Sequence, residues 1–353
     1  TPTPTPTPTP PTRPPESAPI LPDYRIETAL YTALPAMAAL YGRAAIDNLH
    51  DRVGEEEQLR GMPHSSDRES VNGAWARGLY WNGRHEGGSL GVYSDEGPTF
   101  NFEMYGLQAG LDIWRREDDQ GRRDHAGAYL AVGRVDGEVK HIADVVAGTN
   151  RVDAFSIGGY WTHFWKNGAY LDAVAQYSWY DAEALSVRLP ALKVRGTGLA
   201  LSLEGGLPFH MDGGWVIEPQ AQLTWETFDK RSANDVGGQI TFDNVDSLIG
   251  RLGLRAARTW SRQGDDNDTL LTTGWLRLNL NHQFEDQPRT TFAAEDGPVV
   301  FQADLGDWWA ELNGGFTYQM RQDAALFGSA GYQETFDRNT HAWTLKLGLR
   351  LNW

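Results

Sequence analysis

The sequence predicts an all-β chain: a transmembrane antiparallel β-barrel of about twelve strands, with an N-terminal α-helix inside the pore. Three observations predict it. From residue 71 onward, apolar and polar side chains alternate in runs of about ten to sixteen residues. Such runs exceed ordinary strands and match the nine to eleven or so residues that a membrane strand needs. The 14 tryptophans are many, and they gather near segment ends. No run of roughly twenty apolar residues is present to cross a bilayer as a helix. A closed barrel is the other structure that satisfies every backbone group in lipid, and its water-facing half hides it in a polar composition.

Residues 1–22 read as Thr-Pro repeats followed by PTRPPESAPILP. Proline donates no ladder hydrogen bond and favours polyproline II, so this tract is a semi-rigid linker. Its abrupt start is read as the interior of a longer natural chain. No basic stretch followed by an apolar one opens it, so no signal peptide is expected here.

Residues 23–60 form the one convincing helical region. Pro35 suits a first turn, where no donor is lost. The run AMAALYGRAAIDNLHDRV continues with good helix formers to Gly54. A helix from Pro35 to Val53 spans about 28 Å at roughly 1.5 Å per residue. Ala36, Ala38, Ala39, Ala44 and Ala45 make it slim enough for a narrow lumen. On it, Arg43, Asp47 and Arg52 are expected to lie in a polar pore. Glu55, Glu56 and Glu57 read as a solvated charge run that ends it.

The barrel is assigned to 71–353. Its last segment is the clearest: Trp343, Leu345, Leu347, Leu349, Leu351 and Trp353 alternate with Thr344, Lys346, Gly348, Arg350 and Asn352. Lipid on one face, water on the other and aromatic residues at both interfaces require this pattern. It recurs in 105–113, 215–225, 270–282 and 308–319. Twelve segments emerge, near 71–82, 100–115, 123–137, 150–166, 168–183, 192–207, 214–228, 246–262, 270–285, 306–321, 323–338 and 341–353. Connections after even-numbered segments are short, whereas 83–99, 229–245 and 286–305 are long. Short periplasmic and longer extracellular connections are the expected asymmetry. Pro219 removes a ladder donor, so a bulge is expected there. Inward-facing Glu204, Glu218, Arg251, Arg255, Arg277 and Glu311 are the candidate lumen partners for the helix.

Several kinds of chemistry are disfavoured. The chain has no cysteine, so disulfides and thiolate sites are excluded, and its net charge of -16 argues against nucleic acid. Nine histidines show no HExxH and no ligand spacing, so no metal is expected. No GxSxG occurs; the glycines of 196–206 follow strand alternation and read as barrel glycines beside aromatic neighbours. Asp118-Asp119 and Asp265-Asp266 fall in short turns and read as solvated charge. No catalytic residue and no cofactor is expected.

The stretch YRIETALYTALPAMAALYGRAAIDNLHDRVGEEE, the segment GAWARGLYWNG and the ending LKLGLRLNW resemble the β-domain of type V autotransporters, the pertactin-like group in particular. The resemblance implies a twelve-stranded barrel in the outer membrane of a Gram-negative bacterium. It also implies a helix in the lumen and an N-terminal passenger displayed at the cell surface, with an adhesive or other virulence-related role. Partners implied are outer-membrane lipids, periplasmic chaperones and the barrel-assembly machinery, which reads a C-terminal strand ending in an aromatic residue. Leu349, Leu351 and Trp353 fit that signal, although phenylalanine is the commoner last residue. The barrel is expected to act as a monomer. Some relatives cut themselves at an Asn-Asn pair in the pore helix; here Leu49 follows Asn48, so that route is not expected. A solute channel, an outer-membrane enzyme and a soluble β-sandwich are the competing readings. The first leaves the proline-rich linker without purpose, the second lacks a polar cluster on the extracellular rim, and the third does not explain the long lipid-like faces.

Overall fold

The computed structural model describes residues 24–55, 73–88, 90–94, 96–229, 231–243, 245–264, 269–284, 288–337 and 339–352. Two helices open it, α1 (Glu27–Ile46) and α2 (Leu49–Val53). The strands that follow are β1 (Gly73–His85), β2 (Thr99–Glu117), β3 (Arg123–Lys140), β4 (Val146–Phe164), β5 (Tyr170–Ser186) and β6 (Leu192–Gly206). Next come β7 (Phe209–Met211), β8 (Trp215–Phe228), β9 (Arg231–Asp235), β10 (Gly238–Phe242), β11 (Val245–Gln263) and β12 (Thr269–Gln283). The chain ends with β13 (Arg289–Phe292), β14 (Val299–Gln302), β15 (Trp308–Arg321), β16 (Ala324–Thr335) and β17 (Thr340–Asn352).

Twelve of these strands, β1–β6, β8, β11, β12 and β15–β17, pair antiparallel in a closed ring. Closure comes from β1 on β17, with Gly73 opposite Asn352 and His85 opposite Thr340. A closed ring leaves no edge, which lipid demands. Period-two patterning sets the register. On β17 the residues Trp343, Leu345, Leu347, Leu349 and Leu351 are exposed, whereas Gly348 and Arg350 are buried inward. On β12, Leu276, Leu278 and Leu280 face out while Arg277, Asn279 and Asn281 are buried. No helix of the described residues is long and apolar enough to cross a membrane.

Inward glycines accept aromatic rings from neighbouring strands. A Cβ at Gly206 would lie 2.3 Å from the Tyr170 ring, and one at Gly158 would lie 2.1 Å from that of Tyr129. Within 196–206, Gly198 and Gly206 are thus strand positions that make room for rings, whereas a Cβ at Gly196 or Gly205 would meet none.

Three expectations are corrected. Pro219 sits in β8 without a register shift; its carbonyl accepts the Leu207 amide at 3.1 Å, at the gap between β6 and β7. The donor it lacks therefore faces a break in the partner strand, and no bulge is needed. The helix is not continuous from Pro35 to Val53. It starts a full two turns earlier, with Pro35 in its interior, and it breaks at Asp47, whose φ is +49°. Asn48 then caps α2, its side-chain oxygen accepting the Asp51 amide. Aspartate and asparagine are the side chains that tolerate such a reversal and supply a new cap. Finally, the long connections 229–245 and 286–305 fold. They supply β9, β10, β13 and β14, which pair in the order β14-β13-β10-β9 as a second sheet.

Candidate functional site: the helix-filled lumen

Twelve strands about 4.8 Å apart and tilted by about 40° close a cylinder roughly 24 Å across between backbones. Inward side chains from both sides reduce that to roughly the 10–12 Å diameter of one α-helix. The sequence supplies the helix. The 20 residues of α1 run about 30 Å, near the thickness of a bilayer core.

The helix lies against β3, β4 and β5, with lighter contact to β2 and β6. Here the lumen is apolar rather than the polar pore expected from sequence. Leu30, Leu34, Met37, Leu40 and Tyr41 join a buried cluster with Phe100, Phe102, Met104, Val135, Val139, Val152 and Tyr180. Gly133 and Gly137 permit this approach. A Cβ at the first would lie 2.6 Å from the Tyr41 ring, and one at the second 2.7 Å from the Met37 methyl. Tyr41 bonds Ser156 at 3.0 Å, and Asn150 donates to the Leu30 carbonyl at 2.8 Å. Ala39 is buried.

Below Ala45 the lining becomes charged. Orphan carbonyls at a helix C-terminus need donors, and the wall supplies them. Arg77 and Gln108 donate to the Ala45 carbonyl at 3.3 and 3.1 Å, and Gln222 to that of Asp47 at 2.8 Å. Asp47 pairs with Arg77 at 2.8 Å and Lys346 at 2.6 Å. Asp51 pairs with Arg277 at 2.5 Å and Lys346 at 3.3 Å, and Arg52 with Asp172 at 2.7 Å. His50 bonds Glu218 at 2.9 Å, Glu55 pairs with Arg255, and Glu204 accepts the Leu49 amide at 3.0 Å. Leu49 and Val53 rest on an aromatic collar that includes Trp75, Tyr129, Tyr160 and Tyr170. Arg43 donates to Gln283 at 3.1 Å and lies over the Trp309 ring.

Of the six wall residues named from sequence, Glu204, Glu218, Arg255 and Arg277 reach the helical segment. Arg251 and Glu311 bond to the wall instead: Arg251 to Glu204, Gln220, Gln222 and Asn279, and Glu311 to Asn279. Glu55 is buried and paired rather than solvated. Sequence reasoning missed Arg77, Asp172 and Lys346 as partners. Their inward parity was legible, but which inward charge meets the helix depends on barrel shear and helix rotation. Trp353, Asp265, Asp266, Glu56, Glu57 and the linker 1–22 lie outside the described residues. In its turn, Asp118 accepts the Gln120 and Arg122 amides and the Arg122 side chain, and the Arg122 amide first of all holds its carboxyl below the usual range.

Beside the helix a cavity of about 130 Å³ remains, lined by Arg43, Asp47, Arg251, Arg277 and Lys346 among others. It is polar and has room for several waters. Among the described residues no group of three or more His, Asp or Glu could hold a metal ion.

At the end with the long connections, the second sheet caps the helix start. Arg25 makes two bonds to Asp235, at 2.6 and 3.0 Å. Tyr24 packs on Tyr93 and Phe301, and Tyr31 stacks on Phe292. Glu27 pairs with Arg188 at 2.9 Å.

Comparison with known proteins matches this arrangement. The family model for the autotransporter beta-domain matches residues 74–331. The BrkA autotransporter of Bordetella pertussis is 28% identical over 223 residues, 62% of this chain and 20% of that protein. The pertactin autotransporter of Bordetella parapertussis is 25% identical over 332 residues, 92% of this chain and 32% of that protein. This chain thus spans about a fifth of the one and a third of the other. The transport unit of AIDA-I from Escherichia coli superposes with a TM-score of 0.69 at 17% identity, covering 94% of this chain and 100% of that one. A family match over most of the chain, on a closed barrel with an apolar outer face, makes this protein a member of the autotransporter β-domain family, the translocator barrels of the Gram-negative outer membrane.

Proposed function

We propose that this barrel delivers an N-terminal passenger to the cell surface and then seals itself with its own helix. The observation that carries the reading is the buried network between helix and wall, in which Asp47, Asp51, Arg52 and Glu55 each meet an opposite charge on a barrel strand. Such charges are costly to bury singly, so the pairs specify one seated position of the helix. α1 starts at the end of the long connections, which supports a passenger on the extracellular side, N-terminal to the described residues. By family resemblance the passenger has an adhesive or other virulence-related role.

Asn48 is engaged as a cap. Its amide nitrogen donates to Asp47 and Asp51, and its oxygen accepts from Arg277 and the Asp51 amide. A side chain so held does not attack its own backbone, so the passenger stays attached unless another protease cuts it. Insertion uses the barrel-assembly machinery and periplasmic chaperones, with Leu349, Leu351 and Trp353 as the C-terminal signal.

An epitope tag fused to Thr1, with a signal peptide added and expressed in a Gram-negative host, tests the topology. Protease added to intact cells removes the tag if the reading holds. A tag protected until the outer membrane is broken places the N-terminus in the periplasm and favours a solute channel.

A further inference from the structure

On the outer face, successive rows of cross-strand neighbours run over β3, β4, β5 and β6. One row is Val132, Phe155, Trp179 and Thr197. Its three apolar members are exposed, and Phe155 stacks on Trp179 at 5.6 Å. Two residues nearer the extracellular ends, the row becomes Arg134, Asp153, Asp181 and Arg195; two further on, it is Asp136, Arg151, Glu183 and Lys193. At about 3.4 Å per residue and a tilt of about 40°, the first charged row stands roughly 5 Å above the aromatic one. Aromatic girdles mark the level where hydrocarbon ends. The charged rows therefore lie among lipid headgroups.

Within those rows one local rule is broken. Asp153 stands directly opposite Asp181, and like charges so placed destabilise a sheet. Arg134 engages Asp153 at 2.6 and 3.0 Å, whereas Arg195 reaches Asp181 only at 3.3 Å and is 86% exposed. A groove of about 680 Å³ opens over the site, bounded by Val132, Phe155, Trp179, Asp181, Arg195 and Arg231. It is apolar at its membrane side and carries both signs of charge at its outer side, where Asp153 and Asp181 stand beside Arg195 and Arg231, the last also paired with Asp229 at 3.0 Å. The cationic members of these rows stop at β3: Arg134 meets Tyr105 on β2, Asp136 meets Glu103, which faces Asn82 on β1, and Glu334 follows Tyr332 on β16.

We propose that this groove is a binding site for a phosphorylated glycolipid of the outer leaflet. Its phosphates sit on Arg134, Arg195 and Arg231, and its acyl chains lie on Val132, Phe155 and Trp179. A divalent cation shared between phosphate and the opposed Asp153 and Asp181 relieves their repulsion. Charge complementarity selects this occupant, because interleaved cations and carboxylates match a layer of phosphates cross-linked by divalent cations. A second copy of the chain presents the same interleaved rows and no phosphate.

Native mass spectrometry of the full chain in detergent, with bisphosphorylated lipid A and Mg²⁺, tests the site. The wild-type barrel retains the lipid, and Arg134→Ala with Arg195→Ala lowers its occupancy about tenfold or more, since each lost charge-assisted bond is worth about 1.5 kcal/mol or more. Asp153→Asn with Asp181→Asn removes the dependence on Mg²⁺. Heat-modifiable gel mobility verifies that each variant is folded, and Lys193→Ala with Arg195→Ala serves if the first pair does not fold. Unchanged occupancy in the arginine variants, equal retention of dephosphorylated lipid A, or a dimer without lipid each overturns the proposal.

Discussion

Asp51 carries more of the helix-to-wall network than any other side chain on the helical segment. It meets Arg277 and Lys346, and it also accepts from Ser329 and Asn48. Removing Arg277 leaves a buried carboxylate short of charge, so Arg277→Ala is expected to cost about 3–5 kcal/mol. Urea unfolding in detergent measures it. Replacing both Arg277 and Asp51 with leucine costs less than the two single changes summed, as a double-mutant cycle reads coupling. At the cap, burial raises the Asp235 carboxyl, but the Arg25 guanidinium, the Gly237 amide and the Tyr31 hydroxyl together hold it below the usual carboxylate range. A depressed carboxyl stabilises the folded form above its unfolded value of about 3.9, and this contribution is lost as pH falls through the lower folded value. The resistance of wild type to pepsin within 231–242, taken relative to Asp235→Asn at the same pH so that the protease's own pH dependence cancels, is therefore expected to be larger at about pH 5 than at about pH 3. A ratio that does not change between the two pH values counts against this. The charges on the helix could be named from sequence because a slim helix in a narrow lumen has nowhere else to place them. Their partners could be named only in part, since parity identifies inward residues without saying which of them a rotated helix will meet.

The helix and the wall fit through small residues. A Cβ at Gly42 would lie 2.8 Å from the Glu226 carboxylate oxygen. Gly42→Leu is expected to push α1 from its seat while leaving every barrel strand unchanged. Trypsin susceptibility at Arg43 should rise, with no loss of the heat-modifiable barrel band. A variant as resistant as wild type would show that the close approach is incidental. The twelve barrel strands were legible because each repeats one two-residue period over ten or more positions, and that signal accumulates. The second sheet was not legible, because RSAND, GQITF, RTTF and VVFQ are four or five residues long. Their pairing across the gap between β10 and β13 leaves no periodic trace. Placing Pro35 in a first turn followed the usual preference, but a helix gripped by walls on its sides tolerates the missing donor in its interior. The break at Asp47 was likewise hidden, since Asp47 and Asn48 occur both within helices and at their caps.

The molecule as a whole solves two solvation problems with one alternating sequence. Outward leucines and tryptophans meet lipid, and inward residues build a core around a segment of the same chain. That core is apolar over most of α1 and ionic around α2, so the plug is held by packing at one end and by charge at the other. The seated helix is what closes the lumen, with a cavity of about 130 Å³ beside it. Conductance across a planar bilayer tests this most directly, comparing the full chain with a variant lacking residues 24–54. The full chain is expected to be nearly closed and the deletion to open a stable pore. Equal conductance from the two barrels would contradict the account, because the helix would then not be what seals the lumen.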